Sequence, residues 1–216
     1  MTLPPTTLLE TTTSVSPEIF TRFLLFTSLF FGLSFFLNSF ELKAQVCSDK
    51  KDLHTNIENL LKQHDQSDKP ITRLDTIVSV VKVVNVKDGD TAEILYHDLF
   101  LNVRFDHIDA PELRGSQAFS KAARRHLIKL IENKEVYLVS ERRLNGGFGR
   151  VLGTFYTKDG LNVNKEMVAK GYAWHYKKYS KDQSYARIEK CARKHQLGLW
   201  KDERTIAPWN WRKGKR

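Results

Sequence analysis

The distribution of apolar and polar positions divides the chain into three textures. Phe23–Phe40 carries no charge, and its apolar run Phe23–Leu37 is preceded by Arg22 and followed by polar Asn38 and Ser39. Residues 48–73 are polar, except that Leu53, Ile57, Leu60 and Leu61 recur at helical spacing. That spacing predicts a short amphipathic helix, read either as a spacer or docking helix or as a helix packed on the domain that follows. From Leu74 the texture becomes β-branched. Thr76–Val86 and Thr91–Tyr96 read as strands joined at Lys87-Asp88-Gly89-Asp90, and His97-Asp98 turns the chain into a third strand, Phe100–Ile108. Ser116–Ile131 then switches period, with Phe119, Ala122, Ala123, Leu127, Leu130 and Ile131 on one helical face and Lys121, Arg124, Arg125 and Lys129 on the other. Strands at Glu135–Ser140 and Val151–Thr157 follow, then helices at Asn162–Lys170, stopped by Gly171, and Gln183–His195, stopped by Gly198. Five strands with helices after the third and fifth predict an α+β, mainly β fold: a five-stranded OB-fold barrel with about three packed helices.

The first texture reads as a targeting segment. Residues 1–44 hold eight of the 13 phenylalanines and resemble a signal peptide cut after Ala44. The Thr-rich leader Met1–Thr21 is long for that role and has no Lys or Arg, and an apolar run of about 18 residues is at the lower limit for spanning a bilayer. An uncleaved N-terminal membrane anchor is the alternative, and either one exports the rest. The expected organisation is therefore 1–44 signal peptide or anchor, 45–73 polar linker, 74–211 folded domain and 212–216 basic tail. The expected location is secreted or periplasmic, or anchored to the membrane through that segment alone.

Charge sharpens this division. The 216 residues include 35 Lys or Arg and 25 Asp or Glu, a formal charge of +10. Without residues 1–44 the balance is 33 to 22, so the remainder is more basic than the whole. This excludes an acidic solvating protein, a multispanning membrane protein and a disulfide-dense miniprotein. Cys47 and Cys191 fit an oxidising compartment, and their positions allow either two independent thiols or one optional bridge.

Within this basic domain the acidic residues are unusually placed. Asp88 and Asp90 flank Gly89 in a tight turn, and Asp109 and Glu112 bracket Pro111 just after the third strand. If the first three strands form a meander, the two carboxylate pairs meet. Clustered hard oxygen ligands suit Ca²⁺ or Mg²⁺, and the Cys and His spacings of a zinc site are absent. Arg104 and Arg150 stand at positions from which both can face the cluster. Singly, each feature is a hairpin turn or a surface ion pair. Together, a cation, a general-base carboxylate and two guanidinium forks suit attack on a phosphodiester.

Asp88-Gly89-Asp90-Thr91, then Arg104-Phe105-Asp106-His107-Ile108-Asp109-Ala110-Pro111-Glu112, then Gly147-Phe148-Gly149-Arg150 resemble in order and spacing the motifs of the thermonuclease (staphylococcal nuclease-like) family. The resemblance spans residues 76–200, and Pro208-Trp209-Asn210-Trp211-Arg212 looks like the tail of many bacterial members. It implies that Asp90, Asp109 and the backbone carbonyl of Ala110 hold one catalytic Ca²⁺, with Mg²⁺ the less favoured ion. Glu112 would orient or deprotonate the attacking water, Arg104 and Arg150 would hold the phosphate, and Asp88 would serve the turn. Ala110 replaces a threonine and Phe148 a tyrosine of the best-known member, and the loop after Glu112 is short. Arg114, Phe148, Tyr176 and Tyr179 are the expected substrate contacts. Lys121, Arg124, Arg125, Lys129, Arg142, Arg143, Lys177, Lys178 and the tail would attract a polyanion, with Tyr172, Trp174, Tyr176, Tyr179 and Tyr185 interleaved as stacking platforms, of which Tyr172 and Trp174 suit the core and Tyr176 and Tyr179 suit either role. The expected protein is a monomeric exported nuclease acting on DNA and RNA, single- or double-stranded, with low sequence specificity. The rival expectation is a catalytically inactive nucleic-acid-binding module of the same fold.

Overall fold

The computed structural model describes Cys47, Asn59 and residues 76–141, 144–145 and 150–215. All of these belong to one compact unit, Lys43–Arg216. The targeting segment and the amphipathic helix expected around Leu53–Leu61 lie outside the described residues, Asn59 apart.

Strands β1 (Thr76–Val86), β2 (Thr91–Tyr96) and β3 (Leu99–Phe105) form the expected antiparallel meander. β4 (Ile108–Asp109), β5 (Glu135–Glu141), β6 (Leu144–Asn145) and β7 (Arg150–Tyr156) follow. The order β3-β2-β1-β5-β7 is closed by a parallel pairing of β3 with β7, Arg104 lying opposite Leu152. The result is a closed five-stranded barrel, with β6 adding a short edge to β7. β1 serves two neighbours, pairing with β5 through Thr76–Lys82 and with β2 through Lys82–Val86. Strict alternation would put Val83 and Val86 on opposite faces, yet both are buried. The register shift between Val83 and Asn85 absorbs the odd spacing, as a bulge does by turning the strand.

Inside the barrel, Val81, Val83, Ile94, Val103, Leu138 and the Phe105–Phe155 pair, with centroids 4.6 Å apart, meet Ala123, Leu127 and Ile131 of helix α1 (Ser120–Ile131). Helix α2 (Val163–Ala169) is tied to the barrel by buried Asn164. Its side chain donates to the carbonyls of Asp106 and Gly153 at 3.0 and 3.1 Å and accepts from the Phe155 N–H. Helix α3 (Gln183–Lys194) is capped by Asp182, which accepts from the Ser184 N–H. It buries Tyr185, Ile188 and Ala192, one stripe of its surface. After a 3-10 turn at Gly198–Lys201 comes a short helix α4 (Pro208–Trp211), opened by proline, whose missing N–H costs nothing at that position.

Two boundaries differ from expectation. The third strand ends at Phe105, because His107 is left-handed (φ 68°) and its N–H donates to the Asp106 side chain; the chain then re-enters as β4. β4 pairs with β8 (Trp174–His175), a two-residue strand with no sequence signal of its own. Helix α1 starts at Ser120 and not Ser116, since Gly115, Ser116 and Phe119 all have positive φ.

A second core, of Trp174, Ala192, Leu197, Leu199, Trp200 and Ala207, lies beyond β4 and β8 and includes Cys47. Cys47 and Cys191 are disulfide-bonded, so the reading as two independent thiols is replaced. The bridge holds Cys47 against α3, where it is buried with the tryptophans.

His126 of α1 stacks on Tyr172 with centroids 4.1 Å apart, and its buried Nε2 lacks a hydrogen-bond partner. Burial, aided by Lys170 and Lys129, pushes its pKa from 6.5 down to about 4. The folded state thus favours neutral His126, whose contribution to stability is full above 6.5 and is lost as pH falls towards 4. Urea titrations should show the wild type losing on the order of 2 kcal/mol more than His126→Phe between about pH 7.5 and pH 5. Equal losses would place the acid sensitivity elsewhere.

Candidate active site

The site is built where the first turn meets the end of β3. Antiparallel pairing sets Thr91 opposite Arg104, and the Phe105 N–H donates to the Asp90 carbonyl at 2.8 Å. Asp88 stays in the turn, its Oδ1 accepting from the Asp90 N–H at 2.9 Å. Gly89 permits a close approach, since a Cβ there would lie 2.6 Å from the Ala110 Cβ and 3.0 Å from that of Ala123. The Ala110 N–H then reaches the Asp90 Oδ2. The next residue back, Asp109, is clamped through its main chain opposite Trp174. Two carboxylates from distant turns are thereby side by side, Asp90 with 2% of its surface exposed and Asp109 with none.

Burying two carboxylates requires counter-charge. Arg104 bridges them, with Nη1 against Asp90 Oδ1 and Nη2 donating to Asp109 Oδ1 at 2.6 Å. Burial draws the Arg104 guanidinium below the ordinary arginine value, and Asp109 and Asp88 oppose that fall. The second counter-ion is Arg212. Its Nη2 donates to Asp109 Oδ2 at 2.8 Å and its Nη1 to Asp109 Oδ1 at 3.1 Å, while Nη1 also contacts Glu112 Oε1. Burial works against charge on Arg212, yet its hydrogen bonds to Asp109 and Glu112 outweigh this and hold it above its ordinary value.

Glu112 is the more accessible carboxylate, with its side chain 28% exposed. Its position is set by Gln117, whose Oε1 accepts from the Glu112 N–H at 2.9 Å and whose Nε2 donates to the Ile206 carbonyl at 2.6 Å. One buried amide therefore ties the loop after β4 to the segment leading into α4.

Asp90, Arg104, Asp109, Ala110 and Glu112 are thus brought together. The main chain of Arg150 lies two residues before Leu152, the register partner of Arg104, but its side chain lies outside the described residues, as do Phe148, Arg142 and Arg143. Arg114 is exposed in the turn after β4. Tyr176 is half-buried and stacks on Trp209 (5.4 Å, 6°), and Tyr179 stands 66% exposed at its edge. Two expectations are corrected. Tyr185 is fully buried beneath His107 and His175 and is closed to a base. Arg124 donates to the Val86 carbonyl at 2.8 Å and braces the barrel, whereas Lys121, Arg125 and Lys129 of the same helix are exposed. Arg212 and Gln117 were missed by sequence reasoning. The Pro208–Arg212 motif was the signal for the first, and a neutral amide offers none for the second.

The donor set around Asp90, Asp109 and the Ala110 main chain is all oxygen, which fits a hard divalent cation. Among the described residues, the group of three Cys, His or acidic side chains whose ligand atoms all lie within 4.8 Å of one another is Cys47, Cys191 and His195, and those sulfurs are committed to the disulfide.

A family model described as Staphylococcal nuclease homologue matches residues 102–202. An Escherichia coli protein named "Uncharacterized endonuclease" is 36% identical over 134 residues, covering 62% of this chain and 85% of that one. The chain belongs to the staphylococcal nuclease homologue family. Other similar proteins are a "Micrococcal nuclease" of Shigella flexneri, 37% identical over 62% of this chain and 81% of its own, and an "Uncharacterized endonuclease" of Haemophilus influenzae, 38% identical over 61% and 72%. The part matching the staphylococcal nuclease homologue model holds Arg104, Asp109 and Glu112, whereas Asp90 precedes it and Arg212 follows it.

The contact between the two turns is testable. Gly89→Ala is expected to cost about 1–3 kcal/mol by overpacking, and adding Ala110→Gly should recover part of that loss in urea unfolding. Simply additive losses would show that the turns do not press on one another.

Proposed function

We propose that the chain is an exported, calcium-dependent nuclease that cleaves DNA and RNA with little sequence preference and acts as a monomer. Membership of the family makes it a phosphodiester-hydrolysing nuclease. The observation that carries the finer reading is the bridging of two buried carboxylates, Asp90 and Asp109, by one guanidinium beside the more open Glu112.

Asp90, Asp109 and the Ala110 carbonyl would hold the cation, and this all-oxygen donor set suits calcium, with magnesium the less favoured ion. When bound, a divalent ion supplies positive charge to a phosphate oxygen. Glu112 reaches solvent and takes a proton from the attacking water. Arg104, fixed through Asp90 and Asp109, would hold the equatorial oxygens on which charge develops, and Arg150 is the second arginine the family resemblance assigns to that phosphate. Tyr176, Tyr179 and Arg114 would be the contacts for bases and phosphates, and the exposed lysines and arginines would draw in the polyanion without reading its sequence. Export rests on the Phe-rich N-terminal segment, either cleaved or kept as an anchor.

Purified protein should degrade single- and double-stranded DNA and RNA with calcium present and stop in excess chelator. Glu112→Gln and Arg104→Ala should each lower kcat by roughly 10²-fold or more. Cleavage that continues undiminished in chelator would overturn the metal-dependent reading, and full activity of Glu112→Gln would remove it as the base.

A further inference from the structure

Both carboxylate oxygens of Asp109 are engaged by guanidinium groups, and the two arginines involved are held very differently. Arg104 is mostly buried, pinned between Asp90 and Asp109, and carried by a barrel strand. Arg212 lies just past the last helix, with its side chain 40% exposed, and lays its fork along both oxygens of Asp109 while Nη1 also reaches Glu112. The fork covers the edge of Asp109 along which a bidentate partner would approach.

This is a built contact and not a chance surface pair. Pro208 is buried at the start of α4, the Trp211 ring abuts Gly115, Trp209 stacks on Tyr176, and Gln117 joins the Ile206 carbonyl to the Glu112 N–H. Those contacts hold the backbone of Arg212 beside the carboxylates. Only its side chain needs to swing for the guanidinium to leave, because the Arg212 N–H is already satisfied by the Pro208 carbonyl at 2.9 Å.

A divalent cation and a guanidinium cannot share the same face of one carboxylate, since like charges in contact repel and each needs the same lone pairs. We propose that Arg212 competes with the divalent cation for Asp109, so that the C-terminal segment sets the cation concentration at which the site loads. The inference rests on the reading of Asp90 and Asp109 as cation ligands. Arg212 acts as an exchangeable counter-ion: it neutralises buried Asp109 until the cation takes its place. Arg104 remains with the carboxylates throughout.

Calorimetric titration of the full chain with calcium alone tests this, comparing wild type, Arg212→Ala, Arg212→Lys and Arg204→Ala. Arg204 is a fully exposed arginine near Asp202, and its removal changes net charge equally. Arg212→Ala should bind calcium about tenfold more tightly, the scale of losing a charge-assisted hydrogen-bonded competitor, with Arg212→Lys between it and wild type and Arg204→Ala unchanged. Melting in chelator should move the opposite way: Arg212→Ala melts below wild type, and calcium raises its midpoint by more. Equal or weaker calcium affinity in Arg212→Ala, with binding retained, overturns the competition and leaves the cation reading standing. Tightening in Arg204→Ala as large as in Arg212→Ala also overturns it, as a net-charge effect. Absence of calcium binding in every variant overturns both.

Discussion

Asp109 is the point on which the rest of the structure turns, because a carboxylate without solvent exposure needs both a fixed backbone and a counter-charge. The backbone is fixed by the two-residue ladder of β4 on β8, which places Asp109 between the barrel and the tryptophan-rich second core. The counter-charge comes from Arg104 and Arg212, one on a barrel strand and one after the final helix. The protein thus spends almost its whole folded length on a single side chain. Asp90 comes from the first turn, and the last element to arrive closes the same site.

That dependence explains several local choices at once. Gly89 is required because the first turn must press on Ala110, and Gln117 is buried because one amide must satisfy two main-chain groups on different segments. The left-handed residues that delay α1 until Ser120 leave the loop after Glu112 free to fold back towards α4. Each sacrifices regular secondary structure to hold acidic groups close together.

The barrel strands, the three longer helices and the meeting of Asp90, Arg104, Asp109 and Glu112 were legible in the sequence. Alternation, helical stripes and Asx-Gly turns are local signals, and a meander brings neighbouring turns together by necessity. What escaped was long-range. Nothing local to Trp174-His175 marks a strand that exists only because Ile108-Asp109 needs a partner. The disulfide depends on where the linker lies, and the fate of Tyr185 depends on which face of α3 meets His107 and His175. Arg212 reads as one more positive charge in a basic tail until the fold returns it to Asp109, 103 residues earlier in the chain.

The most direct test of the account is a crystal structure of the protein grown with calcium. It should show one cation bound by Asp90, Asp109 and the Ala110 carbonyl, with Arg104 still against the carboxylates and the Arg212 guanidinium turned away from Asp109. A cation bound elsewhere, with the four carboxylate oxygens of Asp90 and Asp109 still occupied by their arginine, main-chain and Thr91 hydroxyl donors, would contradict it.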